Sequence, residues 1–426
     1  MIRTSAKPRR GKAASSAAPS AKGGTLRTDV LVVGAGFVGG TLSCALAAGG
    51  MDVIAVDHAD PSANLRPEFD GRVSAVALAC KRLLDGVGLW TGMAADCAPI
   101  LDIRVSDKDS LCFLHYDHRD GGGEPFGYMV ENRLFRQVLL ERLRRLKKVR
   151  LLAPASVATI ERHSAGVEAV LADGRQVKAR LVVGADGRGS ATRQAAAIKL
   201  TKWSYRQTAI VCTVAHEKPH NFIAHEHFLP SGPFAILPLT GNRSAIVWTE
   251  RRDLAPAIME LDETAFLDEL GRRLGDFLGS LEVVGRRWAH PLSLQYAATA
   301  TARRLALAGD AAHGMHPIAG QGLNMGLRDV AALAEVLTDA RRLGLDIGDT
   351  EVLARYARWR RFDNFLMLAM TDILNRLFSN DFRPLVLARD CGLAAVNRLP
   401  PLKRLFTRQA MGLIGDSPRL MRGEAL

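Results

Sequence analysis

The sequence predicts an α/β protein with a Rossmann-like domain, an inserted mixed β-sheet domain and a C-terminal helical region. Three observations predict it. A buried strand, Asp29-Val30-Leu31-Val32-Val33, runs straight into a glycine-punctuated turn, Gly34-Ala35-Gly36-Phe37-Val38-Gly39. Two further apolar strands, far along the chain, end in comparable turns at Gly184-Ala185-Asp186-Gly187 and Gly309-Asp310. Between them, residues 205–250 are rich in Phe, Ile, Val and His, with turn signals at Pro230-Ser231-Gly232-Pro233 and Thr240-Gly241-Asn242, and read as antiparallel sheet.

Taken in order, residues 1–28 form a basic arm with seven Lys/Arg and no Asp/Glu. Its first 24 residues are low in complexity and read as disordered. They lack the apolar core of a secretory signal. Being Ser/Ala-rich and acid-free, the arm also resembles a mitochondrial transit peptide. The first strand, a small-residue helix over about 37–49 and a strand 52–56 closed by Asp57 make one βαβ unit. Residues 75–90 and 131–148 read as helices, and 151–183 as short strands ending in Ala179 to Val183. Residues 262–279 read as helix, 304–308 as a strand, 322–342 as a helix, and 351–415 as mostly helical. The implied division is 29–105, 128–204 and 290–348 for the discontinuous first domain, 106–127 and 205–289 for the inserted sheet, and 349–426 for the helical end.

The 426 residues are 48% hydrophobic and 24% charged, which excludes a wholly disordered, collagen-like or coiled-coil chain. No apolar run reaches the roughly 18 residues that span a bilayer. Six scattered cysteines (44, 80, 97, 112, 212 and 391) without a CxxC pair read as reduced thiols. The net charge of +13 lies at the ends: +7 over 1–28 and +6 over 351–426, with a neutral body between. That distribution argues against nucleic acid. It fits two solvated tails, or contact with an anionic membrane surface or an acidic partner.

In the first turn, Gly34 permits the tight exit from the strand, Gly36 lets a pyrophosphate approach the backbone, and Gly39 lets the helix pack on the sheet. The helix N-terminus favours the phosphate charge. Asp57, 23 residues after Gly34, suits an unphosphorylated ribose, so FAD or NAD is favoured there over NADP. In the third turn a buried strand delivers Asp310, an acceptor for a ribityl hydroxyl. Gly320 and Gly322 then open a helix whose N–H groups suit the electron-rich edge of a reduced flavin.

These three motifs, in this order, resemble the class A flavoprotein aromatic hydroxylases. The run Gly309-Asp-Ala-Ala-His-Gly-Met-His-Pro-Ile-Ala-Gly-Gln-Gly-Leu-Asn-Met-Gly-Leu-Arg-Asp329 resembles more narrowly the ubiquinone-biosynthesis hydroxylases, as do Tyr128 to Arg133, Gly232 to Leu239 and Trp359 to Asp363. The resemblance implies a FAD-binding fold of the aromatic-hydroxylase type. Gly34, Gly36, Val38, Gly39 and Asp57 would hold the ADP part of FAD, with Arg72 on the pyrophosphate. Asn132 stands where many such enzymes carry an Arg near the flavin. Asp186 would touch both FAD and NAD(P)H. Gly309, Asp310, Pro317, Gly320, Gln321, Gly322, Leu323 and Asn324 match the flavin loop.

The activity implied is hydroxylation of the aromatic ring of a polyprenylated ubiquinone precursor, using O2 and NAD(P)H through a flavin C4a-hydroperoxide. The alternatives are another flavin oxidoreductase on the same scaffold (epoxidase, halogenase or prenyl reductase) and a non-catalytic FAD-bearing subunit of a ubiquinone-biosynthesis complex. The flavin carries the chemistry, and the sequence names no protein base. Phe234 and Trp248 are candidates for the substrate cavity, with strand-core packing an equal alternative. His216, His220, His225 and His227 cluster in the sheet without a third ligand at motif spacing, so no metal is expected; His313 and His316 would shape the flavin loop. Leu402, Leu405, Phe406, Ala410, Leu413 and Ile414 recur at helical spacing among Lys403, Arg404 and Arg408, which fits an interfacial helix or one docked on the body. A cytoplasmic, peripherally membrane-associated enzyme follows, or one on the matrix side of the mitochondrial inner membrane. The oligomeric state stays open, a dimer included.

Overall fold

A computed structural model describes residues 24–61, 65, 70–107, 113–315, 320–378 and 399–426. The chain opens with β1 (Leu26–Val33), α1 (Phe37–Ala48) and β2 (Val53–Val56). Next come β3 (Val73–Ala77), α2 (Leu78–Gly86), β4 (Ala98–Ile100), β5 (Asp102–Asp107), β6 (Phe113–Asp117), β7 (Gly127–Glu131) and α3 (Asn132–Arg145). The first sheet resumes with β8 (Val149–Leu152), β9 (Val157–Arg162), β10 (Val167–Leu171), β11 (Gln176–Gly184) and α4 (Ala191–Ala195). The inserted sheet follows as β12 (Leu200–His216), β13 (Ile223–Leu229), β14 (Gly232–Leu239), β15 (Arg243–Arg251), α5 (Ala255–Glu260), α6 (Glu263–Leu274) and β16 (Leu281–Ala297). β17 (Thr301–Ala302), β18 (Leu305–Leu307), β19 (His313–Gly314), α7 (Gln321–Arg342), α8 (Thr350–Phe378), α9 (Pro400–Ala410) and α10 (Arg419–Arg422) complete it.

The three apolar strands seen in the sequence lie side by side. β18, β11, β1, β2 and β8 run parallel in that order, so the three glycine turns leave one edge of one sheet. Strands covered on both faces need no alternation, which explains the continuous apolar runs. α1 and α7 cover one face over a core that includes Val30, Val32, Leu42, Leu46, Leu327 and Leu333. The second sheet runs β19-β16-β12-β15-β14-β13-β5-β6, and a small sheet β3-β7-β4 joins the two.

Several boundaries differ from the expectation. β1 begins at Leu26, inside the 1–28 segment, because Leu26, Arg27 and Thr28 continue the ladder opposite Val177, Lys178 and Ala179. Residues 75–90 are not one helix: Val73–Ala77 pairs with Gly127–Glu131, and the helix starts at Leu78. β5 joins the second sheet from Asp102, and β12 and β16 run continuously through residues 204–205 and 289–290. The arm up to residue 23, Cys112, Cys391, His316 and Pro317 lie outside the described residues. Cys44, Cys80, Cys97 and Cys212 are free and buried. Burial pushes their thiols up to about 12, so they remain protonated and act as small apolar groups. No helix among the described residues is long and apolar enough to cross a membrane.

Candidate active site

The first turn is shaped for a ligand in one place only. A side chain at Gly34, where φ is +96°, would meet the carbonyl oxygen of Ala185 at 2.4 Å. One at Gly39 would lie 1.9 Å from the carbonyl oxygen of Gly34. One at Gly36 meets nothing within 4 Å. Gly34 and Gly39 are therefore glycines for packing, and Gly36 leaves space over the α1 N-terminus where a pyrophosphate fits. Asp57 closes that space. Its carboxylate accepts from the N–H groups of Ala35 at 2.7 Å and Ala59 at 2.9 Å. Gly36 and Asp57 line both a cavity of about 330 Å³ beside Arg136 and Leu140 and one of about 490 Å³ reaching Ala185 and Asp186.

Asp186 lines the second of these cavities and also braces its own turn. Its carboxylate accepts from the Ser190 hydroxyl and from the N–H and hydroxyl of Thr192, both at 2.9 Å. It holds the turn in shape, and that turn's Gly187 and Gly189 leave open space for a ligand.

The third turn sits against a cavity of about 380 Å³. Asp310, Gly320, Gly322 and Leu323 form one wall, Arg72 and Asn132 one end, and the second sheet the roof. A side chain at Gly322 would meet nothing within 4 Å. Burial pushes the Asp310 carboxyl up against the opposing pull of Arg188 and His313. A hydroxyl donor from a ligand would relieve that cost. Val38 packs under both Gly309 and Gly326, tying the first turn to the third. Gln321 begins α7, whose N-terminus faces this cavity at Gly320 and Gly322.

Three expected contact residues are occupied by the protein itself. Asn324 accepts from the Ala77 N–H at 2.9 Å and donates to the Ala75 carbonyl at 3.0 Å, pinning β3 to α7. Asn132 accepts from the Ser74 hydroxyl at 2.7 Å. Arg72 pairs with Asp70 at 2.6 Å and lies over the Trp288 ring at 4.8 Å, at the cavity's end.

Phe234 and Trp248 do not line the cavity. They pack with each other and against Phe266 of α6, on the far face of the sheet. Strand side chains alternate, so their neighbours form the roof instead: Pro233, Ala235 and Leu237 of β14, and Val247 and Thr249 of β15. The histidines fall into two pairs, His216 with His220 at 5.5 Å between ring centroids and His225 with His227 at 5.8 Å. His216 bonds to the Lys218 carbonyl and the Ser244 hydroxyl, His220 to the Leu239 carbonyl, and His227 to the Ser106 hydroxyl.

A buried network behind the third turn escaped the sequence reading. Asp329, fully buried, accepts from the Gly309 N–H at 2.9 Å, bonds to His313 Nε2 at 2.6 Å and accepts from Arg360 Nε at 2.7 Å. Arg360 also pairs with Asp363 and Asn364. Burial pushes the Asp329 carboxyl up, but His313 and Arg360 outweigh it and hold the group at about 2, below its usual 3.8. A depressed carboxylate stabilises the fold above its unfolded pKa and loses that contribution as pH falls through the folded one. Asp329 therefore contributes about 2 kcal/mol above pH 5 and about half of that at pH 3. Urea unfolding of wild type and Asp329→Asn at pH 6 and pH 3 checks this: the gap between them narrows at the lower pH.

The FAD binding domain family model matches residues 27–362. A relative from Rhodospirillum rubrum, "Ubiquinone hydroxylase UbiL", is 57% identical over 401 residues, 93% of each chain. The chain belongs to the FAD-dependent ubiquinone-biosynthesis hydroxylases. "3-demethoxyubiquinol 3-hydroxylase" of Escherichia coli is 35% identical over 91% of this chain and 99% of its own. The human "Ubiquinone biosynthesis monooxygenase COQ6, mitochondrial" is 32% identical over 88% and 90%. The crystal structure of p-nitrophenol 4-monooxygenase from Pseudomonas putida shares the fold, with a TM-score of 0.75 and 20% identity over 92% of this chain and 99% of that one. This family member is an FAD-dependent monooxygenase that hydroxylates aromatic rings in ubiquinone biosynthesis. The open space at Gly36 and Gly322 and the desolvated carboxyl of Asp310 fit the cofactor.

Proposed function

We propose that the protein hydroxylates the ring of a polyprenylated phenol while resting on a membrane surface. The largely apolar roof facing the flavin loop carries this reading: Ala209, Val211, Ala235, Leu237 and Val247 offer an aromatic ring an apolar surface opposite Gly320 and Gly322. FAD bound in the cleft supplies redox chemistry, accepting electrons from NAD(P)H and delivering an oxygen atom from O2. The protein's share is positional. Gly36 and the α1 N-terminus would hold the pyrophosphate, Asp310 would accept from a ribityl hydroxyl, and the N–H groups opening α7 would stabilise negative charge on the reduced ring. The apolar roof excludes water. Deleting the gene in its host and weighing the quinone precursor that accumulates tests this; an intermediate lacking one ring hydroxyl is the expected result.

Membrane contact is supported by α8 more than by the 402–414 stretch. α9 docks on the body through Thr407, with Met411 beyond it, and through the Lys403–Asp120 pair at 3.0 Å. By contrast, α8 exposes Phe362 (74%), Phe365 (64%), Leu366 and Ile373 (60%), one face by helical spacing. Arg355, Arg358 and Arg376 share that face. Aromatic and aliphatic groups flanked by arginines complement an anionic lipid surface. The opposite side of α8 packs Met367 and Leu368 on Met315, which lines the cavity, so a lipid-borne chain would arrive near the site. Phe362→Asp with Phe365→Asp is expected to abolish co-flotation with phosphatidylglycerol vesicles and leave FAD content intact.

A further inference from the structure

We propose that Glu226 is the catalytic base that takes the phenolic proton of the substrate. The inference rests on the phenol reading above and supplies the protein group that reading lacks.

Glu226 stands in the middle of β13, opposite Ala235 of β14 and Val105 of β5. Opposed residues of an antiparallel pair share a face. Ala235 lines the cavity roof, and Glu226 lines it with Ala235. Its neighbours His225 and His227 project to the other side, where Phe277 and Ser106 meet them. Among the described residues the Glu226 carboxyl has no hydrogen-bond or ion-pair partner, in a wall built on this sheet from Ala, Val, Leu, Pro and Thr, with His290 of β16 the other titratable group. An acid placed in an apolar wall costs free energy unless a ligand uses it. Burial alone pushes its carboxyl up to about 7, where a base accepts and returns a proton readily.

The other ionisable groups on the cavity are committed or misplaced. Arg72 is paired with Asp70, and Arg188 donates to the Ser293 carbonyl and hydroxyl. Asp310 belongs to the flavin loop. His290 lines the cavity with its residue largely open to solvent, and partial desolvation of the ring and the charge of Arg72 lower its pKa and favour the neutral form.

The step balances as follows. The phenolic O–H bond breaks and its proton moves to Glu226 Oε. The electron pair left on the oxygen enriches the ring carbon that receives the oxygen atom delivered through FAD, NAD(P)H and O2. That carbon loses its hydrogen as a proton on rearomatisation, the second oxygen atom leaves as water, and Glu226 returns its proton to the phenolate.

The test uses the FAD-loaded enzyme with soluble 2-prenylphenol as probe. Glu226→Gln is isosteric with the protonated acid and is expected to retain FAD. It should lower kcat for hydroxylation about 100-fold, keep KM within about threefold, and divert oxygen to H2O2. The wild-type rise of kcat/KM through pH 7 should vanish in Glu226→Gln and persist, at a lower rate, in Glu226→Asp. Calorimetry in two buffers at pH 7 supplies a readout free of turnover. Wild type should release a fraction of a proton on binding the phenol, because the ionised carboxylate accepts its hydroxyl, and Glu226→Gln should release none. A wild-type enzyme that fails to bind the phenol overturns the substrate reading and this inference together. Tight wild-type binding with the same proton release and pH limb in Glu226→Gln, or a limb lost only in His290→Gln, overturns the inference alone.

Discussion

Gly36→Val yields a folded, colourless protein. A Cβ there meets no protein atom within 4 Å, so the backbone has room for a side chain at this position. The valine methyl groups instead fill the space over the α1 N-terminus that a pyrophosphate needs. We expect FAD affinity to fall at least about 100-fold, equivalent to about 2.8 kcal/mol, with an unchanged circular dichroism spectrum. Gly39→Val is the contrast. Its side chain would sit 1.9 Å from the Gly34 carbonyl oxygen, inside the helix–sheet contact, and that protein should fail to fold. Visible absorbance and FAD titration of the two purified variants separate a ligand space from a packing glycine.

Asp329→Asn is the second large effect. It removes a charge that Arg360 faces at 2.7 Å in a site with no water access, and weakens the acceptor of the Gly309 N–H. Breaking one side of a buried pair costs about 3–5 kcal/mol; Arg360 keeps Asp363, so the lower end is expected. The urea midpoint should drop, and FAD should dissociate faster because the third turn loses its support. Adding Arg360→Met should recover part of the stability, since the buried cation that lost its Asp329 partner is then removed.

Both sites show what was legible. The glycine turns could be read because a strand, a turn and a helix start are local events, and each glycine's role follows from a few neighbouring residues. Membership of the flavin hydroxylases followed from the same runs. The cavity roof could not be read. β14 and β15 are buried on both faces, so Phe234 and Trp248 carry no alternation that says which face meets the ligand. Asp329 and Arg360 lie 31 residues apart on different helices, and only the packing of α8 on α7 joins them. Glu226 sits between two histidines in a mostly apolar strand, and its exposure to the cavity depends on its register opposite Ala235. Ala75–Ala77 reads as the start of a helix because its partner strand is 50 or more residues away.

Hydroxylation by the holoenzyme under 18O2 tests the central claim most directly. With 2-prenylphenol and NADH, mass spectrometry should find one added oxygen on the ring, and that oxygen should be 18O. A yellow, reducible protein that consumes O2 and leaves the ring untouched, or a product whose new oxygen comes from water, would contradict the account.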